Sequence, residues 1–419
     1  MLTIEKTNNL NIKLVFMRFS LFLKYGIILV LFPAVYIGFN PGKIVIIQTV
    51  CWGILLFFFV KKWKSFYYRY FRFDIFPYFF IYVGYCVLTY IRGFFNIVSQ
   101  EDVIQLASGL LFTSFLLPFF LLLGTPYDIQ KLWKSYMIWG LILCLICYFV
   151  PPSDGMMSFA HNMSFLNVLI LCIPYLRMRY KIVVIAFVIM TIFYDLNRRS
   201  ILINNIVPFI ILVLYYSFLY KTVFNKLLIS LLIVTPILFF ILGVYGSFNI
   251  FKYMENVSDY SISDETRSLT TDSRSGIYED VLSEIDHRQA YIWGLGGNGK
   301  TPTSLIKHGY GDIYRFGRPG TESGMLNHIQ YGGLLGFLSY GLLLIVAAFK
   351  ASNSKNDFMR MLGTFIAFKF LYSFIEDQIT TNAQTVYLFL WISMCYNVRF
   401  RQMSNRAMIR FFNRIFRWK

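Results

Sequence analysis

"WGLGGNGKT", residues 293–301, is the stretch whose reading decides the fold. Gly294, Gly299, Lys300 and Thr301 satisfy the spelling G-x-x-x-x-G-K-[ST] of a phosphate-binding loop. A genuine loop of this kind follows a buried strand and opens a helix inside an α/β domain. Here "QAYIW" precedes the glycines, and "PTSLIKHGYG" follows them, beginning with Pro302. The whole polar segment around the turn is roughly 75 residues long, too short to supply a parallel sheet. Composition points the same way. The chain has 419 residues, of which 57% are hydrophobic, 20% aromatic and only 14% charged. An ordinary soluble domain is about 25% charged. The expectation is an all-α polytopic membrane protein that binds no nucleotide.

A bilayer core needs about 20 apolar residues per helix, and roughly twelve stretches qualify. Their limits are 20–39, 43–60, 75–95, 105–124, 133–150, 161–176, 182–195, 201–219, 227–248, 325–349, 359–376 and 383–399. The N-terminal stretch "MLTIEKTNNLNIKLVFMRF" has no small-residue cleavage site, so the first apolar run is read as an uncleaved insertion signal. The organisation expected is helices 1–9 over residues 1–248, a large outer loop over 249–324, helices 10–12 over 325–399 and a basic tail over 400–419.

Net charge is +18, and its distribution sets the orientation. With the N-terminus inside, the inner connections are "KKWKSFYYRYFR", "DIQKLWK", "RMRYK", "YKTVFNK" and "KASNSKNDFMR", followed by the Arg-rich tail. The outer ones, "NPGK", "IRGFFNIVSQED", "PPSDGMMSFAHN" and "EDQITTN", are poor in Lys and Arg. This predicts N-in, C-in topology. It also places the glycine turn outside, where ATP is normally absent. The basic excess belongs to the inner rim, which suits anionic lipid better than nucleic acid.

One short outer connection departs from the pattern. "YDLNRRSIL" carries Arg198 and Arg199 together. Arg near membrane depth costs about 2.5–3.5 kcal/mol on the insertion scale. Either the pair snorkels to headgroups or it builds an anion site at the outer face. The large loop carries eight Lys/Arg against eleven Asp/Glu. Within it, "RSGIYEDVLSEID" puts Ile277, Val281, Leu282 and Ile285 at helical spacing. The acids Glu279, Asp280, Glu284 and Asp286 then read as a solvated face rather than a metal site. The six cysteines lie in or beside apolar runs and are read as buried small hydrophobes, Cys144 and Cys147 included.

Topology and three stretches together resemble the superfamily of O-antigen polymerases and ligases, bacterial inner-membrane glycosyltransferases. The stretches are "NRRSIL", "DSRSGIYEDVLSEIDHRQAYIWGLGGNG" and "ESGMLNHIQYGGLLGFLSYG". The resemblance implies a multi-pass, GT-C-like helical fold and an undecaprenyl-diphosphate-linked oligosaccharide as substrate. It implies no cofactor and no metal. A chain-length regulator is a further partner that the resemblance allows without requiring. Either Arg198 or Arg199 matches the family's outer arginine, and Arg274 matches its second basic residue. Aligning Gly333 and Gly336 on the family's G-x-x-G turn puts Glu322 where a ligase has His. That departure favours polymerase over ligase. "SFAHNMSFL" adds Asn162 as a faint outer-side match. A flippase for the same lipid-linked sugars is the alternative from another class. It would lead one to expect internal repeats, and none is visible.

The implied reaction displaces a lipid diphosphate from a sugar anomeric carbon. Arg198, Arg199 and Arg274 are candidates for stabilising the departing charge. Glu322 is the candidate base, with the intramembrane His328 as the alternative. Arg315 and Arg318 flank the aromatic "YRFGRPG" and are candidate glycan or phosphate contacts. His287 and His308 are read as surface residues. For the glycine turn itself two readings stand: a hinge, or an anion nest of backbone N–H groups assisted by Lys300. Reporter fusions at Asn298 and Asn405 are expected to report opposite sides of the membrane. A cytoplasmic signal at Asn298 would overturn both the topology and the dismissal of the nucleotide loop.

Overall fold

A computed structural model describes residues 74–100, 102–103, 106, 121, 126, 129–131, 133–134, 166–194, 199–217, 222–244, 273–302, 317–318, 320–321, 323–376 and 383–415. Among these the chain is helical, with no strand and one isolated bridge between Thr301 and Arg318. The helices are α1 (Phe76–Phe94), α2 (Leu166–Cys172), α3 (Met178–Tyr194), α4 (Arg199–Tyr216), α5 (Thr222–Val244) and α6 (Ser273–His287). They continue as α7 (Gly324–Ser352), α8 (Asp357–Tyr372), α9 (Ala383–Tyr396), α10 (Val398–Gln402) and α11 (Asn405–Ile415). A 3₁₀ turn, Ile173–Tyr175, joins α2 to α3.

The stretches expected at 75–95, 161–176, 182–195, 201–219, 227–248, 325–349, 359–376 and 383–399 overlap these helices, with residues 161–165, 195, 218–219 and 245–248 outside the described ones. Those at 20–39, 43–60, 105–124 and 133–150 fall almost wholly outside the described residues. Among the described residues two helices, Val223–Val244 and Gly324–Ser352, are long and apolar enough to cross a membrane.

The apolar sequence is distributed as lipid would require. α5 exposes Val223, Leu227, Leu231, Val234, Leu238 and Ile241, a row at helical spacing along its outward face. α1, α3 and α4 expose similar rows. α8 and α9 form the middle of the structure. Phe358, Phe365, Phe370, Tyr387 and Trp391 are buried there, and Phe365 meets Trp391 edge-on at 5.5 Å.

Among the described residues, segments that the sequence assigns to one side of a membrane meet at one end. We name the ends accordingly. At the inner end Asp74 pairs with Lys350 at 2.9 Å and Arg401 at 2.8 Å. Asn356 caps α8 and donates to the carbonyls of Phe400 and Met403. The glycine turn lies at the other end, against the last turn of α1 and the first half of α7.

α7 is not one continuous helix. Gly333 sits at φ 57°, ψ −142°, a region open essentially to glycine alone. In an unbroken helix Leu334 and Leu335 would donate to Gln330 and Tyr331. Those bonds are split, and the turn re-pairs all four groups. The N–H of Leu295 donates to Gln330 O at 2.7 Å, and that of Gly296 to Tyr331 O at 3.0 Å. In return Leu334 donates to Tyr291 O at 2.8 Å, and Leu335 to Ile292 O at 3.1 Å. In apolar surroundings each unmet backbone group would cost several kcal/mol. The turn therefore closes a helix break.

A Cβ at Gly333 would stand 2.5 Å from Tyr291 O and 2.6 Å from the Gly294 nitrogen. Gly333→Ala is expected to cost about 3 kcal/mol or more, from backbone strain plus the lost pairings. Gly84→Ala is the control, because nothing lies within 4 Å of that Cβ. It should be neutral or stabilising by up to about 1 kcal/mol. Thermal unfolding of both variants in detergent checks the contrast.

Candidate functional site

The outer end concentrates the buried polar groups. The glycine turn is held there from three directions. Arg92, in the last turn of α1, donates to the carbonyls of Trp293 and Gly294. Asn96 donates to Leu295 O at 2.8 Å and Gly297 O at 2.9 Å. Gly297 N–H reaches back to Thr89 O at 2.9 Å. Asn298, at φ 57°, donates its side-chain amide to Asp102 O at 2.8 Å. Gln330 completes the enclosure by donating to Gly299 O at 2.8 Å.

This geometry corrects both readings of the turn. The N–H groups of Gly294, Leu295, Gly296, Gly297 and Gly299 all donate to protein carbonyls. An anion nest needs such groups converging on an empty point, and these are committed. Nor is the turn a hinge, since its backbone bonds to both α1 and α7. It also follows a helix and a turn rather than a strand. Lys300 pairs with the buried Asp102 at 2.6 Å. Arg318 forms the bridge with Thr301, at 2.8 and 3.0 Å.

His328 lies in the second turn of α7 and is 2% exposed. The Tyr85 hydroxyl shares a hydrogen bond with its Nδ1 at 2.9 Å. Tyr340 stacks on its ring at 4.2 Å between centroids, and Tyr82 stands edge-on at 5.9 Å. Tyr85 reaches it across Gly332 and Gly336. A Cβ at Gly332 would stand 2.1 Å from the tyrosine ring, and one at Gly336 3.0 Å. In this arrangement the histidine ties α1 to both halves of α7.

The first turn of α7 docks on the last turn of α8. Ser323 caps α7 by accepting from Leu326 N–H, and its hydroxyl donates to Ser373 O at 3.1 Å. Gly324 N–H donates to Glu376 O and Met325 N–H to Ser373 O, both at 2.7 Å. Tyr278 of α6 donates to Phe374 O at 2.6 Å and meets the Ser323 hydroxyl at 3.1 Å. Asn327 holds Thr321 through its backbone and hydroxyl. Position 322, between the two anchored residues Thr321 and Ser323, is Glu322, which lies outside the described residues. So do Arg198, Arg315 and Asn162. Arg199 opens α4 and Arg274 stands in the first turn of α6.

One residue at this end escaped the sequence reading. Lys369 of α8 is 1% exposed. Its ammonium donates to Asn204 Oδ1 of α4 and lies over the rings of Tyr372, Phe365 and Phe368 at 5.2, 5.3 and 5.7 Å. A single cation in the apolar run "GTFIAFKFLYSF" was the available signal. Along α6 the apolar positions are as expected, with Ile277, Val281 and Ile285 buried. Glu284 departs from the expected solvated face. It is buried and pairs with Arg288 at 2.5 Å.

Asn204 and Tyr278 are both fastened to the outer end of α8. Arg199 precedes Asn204 by five positions and Arg274 precedes Tyr278 by four. At 1.5 Å rise per residue the two arginine positions lie about 7.5 and 6 Å beyond those anchors along their helices. Two helix starts, each with an arginine position, thus lie within two helical turns of residues fastened to one end of the same helix. Comparison with protein-family models and with curated proteins finds no match for this chain.

Burial raises the pKa of Asp102, but the Lys300 ammonium and the N–H groups of Val98 and Ser99 outweigh it. Together they hold the carboxyl below the usual carboxylate value. Its contribution to holding the turn is complete above about pH 3.9, the ordinary Asp value. It is lost as the pH falls through the lower folded value. Limited proteolysis should therefore leave residues 293–301 protected at pH 7 and open them below about pH 4. In Asp102→Asn the turn should be cut at neutral pH, and the acid step should disappear.

Proposed function

We propose that this chain is a multi-pass glycosyltransferase of the O-antigen polymerase kind, seated in a bacterial inner membrane. In this reading it works at the outer face, moving a growing glycan from its undecaprenyl diphosphate onto a lipid-linked repeat unit. The observation that carries the reading is the anchoring of α4 and α6 on the outer end of α8. It keeps the Arg199 and Arg274 positions within two helical turns of residues bound to that end, where buried Lys369 also stands. The meeting of described segments expected on the same side supports that sorting, and the N-in, C-in sense rests on the charge of the connections.

In the proposed reaction an acceptor sugar hydroxyl attacks the donor's anomeric carbon. The bond from that carbon to the diphosphate oxygen breaks, and undecaprenyl diphosphate leaves. Diphosphate departs without protonation if its growing charge is stabilised, a task suited to permanently charged, bidentate guanidinium groups. Arg274 and Arg199, or its neighbour Arg198, take that role. Glu322 accepts the hydroxyl proton. It precedes the N-terminus of α7, whose partial positive charge favours an ionised carboxylate there.

Arg199→Ala, Arg274→Ala and Glu322→Gln are each expected to reduce polymer at least about 100-fold, the cost of one transition-state contact. Surface glycan on a gel should collapse from a ladder to a band capped with one repeat. Loss of all attached glycan would indicate a ligase instead. Unchanged ladders in all three variants would sink the assignment.

A further inference from the structure

The inner end carries a surface that the proposed transfer does not use. Three segments far apart in sequence meet there. Trp133 stacks on Phe412 of α11 at 5.6 Å. Tyr175 lies 6.0 Å from the same ring, and its hydroxyl donates to Asn405 Oδ1 at 3.5 Å. α11 turns its apolar side into this contact. Met408, Phe411, Phe412 and Ile415 are buried, with Phe412 against Phe358 at 4.7 Å and Phe411 against Phe400 at 5.3 Å.

The opposite face of α11 carries Arg406, Arg410 and Arg414, spaced four apart and all exposed. Arg177, in the link after Tyr175, and Arg179, in the first turn of α3, are also exposed. Among the described residues, the acids at this end are engaged elsewhere. Asp74 holds Lys350 and Arg401, and Asp357 holds Arg360 and Asn405. Two apolar side chains stand among the arginines: Met178, 70% exposed, and Ile409, 40% exposed. Met178 also begins the exposed row of α3, which continues through Ile182, Ile185 and Ile189. The cations therefore border an outward apolar face.

We propose that Arg406, Arg410 and Arg414, with Arg177 and Arg179, form a platform that binds the headgroups of anionic phospholipids at the inner face. A cation row set at the rim of an outward apolar face matches the boundary between phosphate and acyl chain. Met178 and Ile409 are placed to enter the acyl side of that boundary, for which a nucleic acid offers no counterpart. The mode differs from that of a free amphipathic helix, which would bury its own apolar face in lipid. Here that face is taken by Trp133, Tyr175, Phe358 and Phe400, so attraction comes from the cations. Bound lipid would reinforce the packing of α11 across segments that only folding brings together. The inference needs the membrane reading but not the glycan-transfer reading.

The test uses the full-length protein in a neutral detergent, titrated with short-chain phosphatidylglycerol or phosphatidylcholine at low and high salt. Wild type should bind the anionic lipid more tightly, and the preference should shrink with salt. At about 1 kcal/mol per cation, Arg406→Ala/Arg410→Ala/Arg414→Ala should weaken phosphatidylglycerol binding about 100-fold. The corresponding triple Lys variant should stay within a few-fold of wild type. Arg177→Ala/Arg179→Ala, on a different segment, should lose about thirtyfold and guards against a folding defect in α11. Equal affinity for the two lipids, unchanged binding in both alanine sets, or tighter binding of a short RNA than of phosphatidylglycerol would each overturn the proposal.

Discussion

A helix that breaks in apolar surroundings strands backbone groups that nothing nearby solvates. In this chain the break at Gly333 takes its four partners from residues 291–296, and the outer end is built around that exchange. Because the turn must lie against α7, Arg92 and Asn96 can reach its carbonyls from α1. With the turn so held, Lys300 is brought to Asp102 and Thr301 to Arg318. The same break lets Tyr85 cross Gly332 and Gly336 to His328. The glycines serve a backbone-to-backbone contact that any side chain would prevent.

The two ends solve different electrostatic problems. At the outer end, polar groups pair with one another: buried Ser323, Thr321 and Asn327 and half-buried Tyr278 fasten α6 and α7 to α8, while Lys369 joins α8 to α4. Such fixed surroundings favour chemistry that depends on charge held in place, which is the kind proposed for diphosphate displacement. At the inner end the cations stay in contact with the surroundings. Asp74 takes two of them, while the arginines of α11 are left facing outward.

Much of the helical layout was legible in the sequence, because apolar length and helical spacing are local properties. The buried stripe of α6 followed from Ile277, Val281 and Ile285 alone. The break in α7 did not follow from periodicity: a G-x-x-G turn at Gly333 and Gly336 came only with the resemblance, and glycines in an apolar run are compatible with a straight helix until a partner loop is known. Lys369 was visible as a lone cation. Its importance was not, since Asn204, more than 160 residues earlier, supplies the reason for its burial. Of the expected site, Arg274, Arg199, Lys300, Arg318 and His328 can be placed, and only the last three by their contacts. Glu322 is framed by Thr321 and Ser323 without being placed itself.

"WGLGGNGKT" marks the division. Sequence by itself determined that this stretch could not head an α/β domain. Its flanks lack a strand pattern, and the apolar runs around it leave no length for a sheet. Sequence also set the expectation of which segments share a side, because Lys and Arg are sorted by connection. Tertiary structure alone decided what the stretch does: it repairs a helix break some forty residues further along the chain. Spelling cannot reveal that role, because the bonds are made by backbone atoms that every sequence has. Which of them meet is set by where two distant segments come to rest.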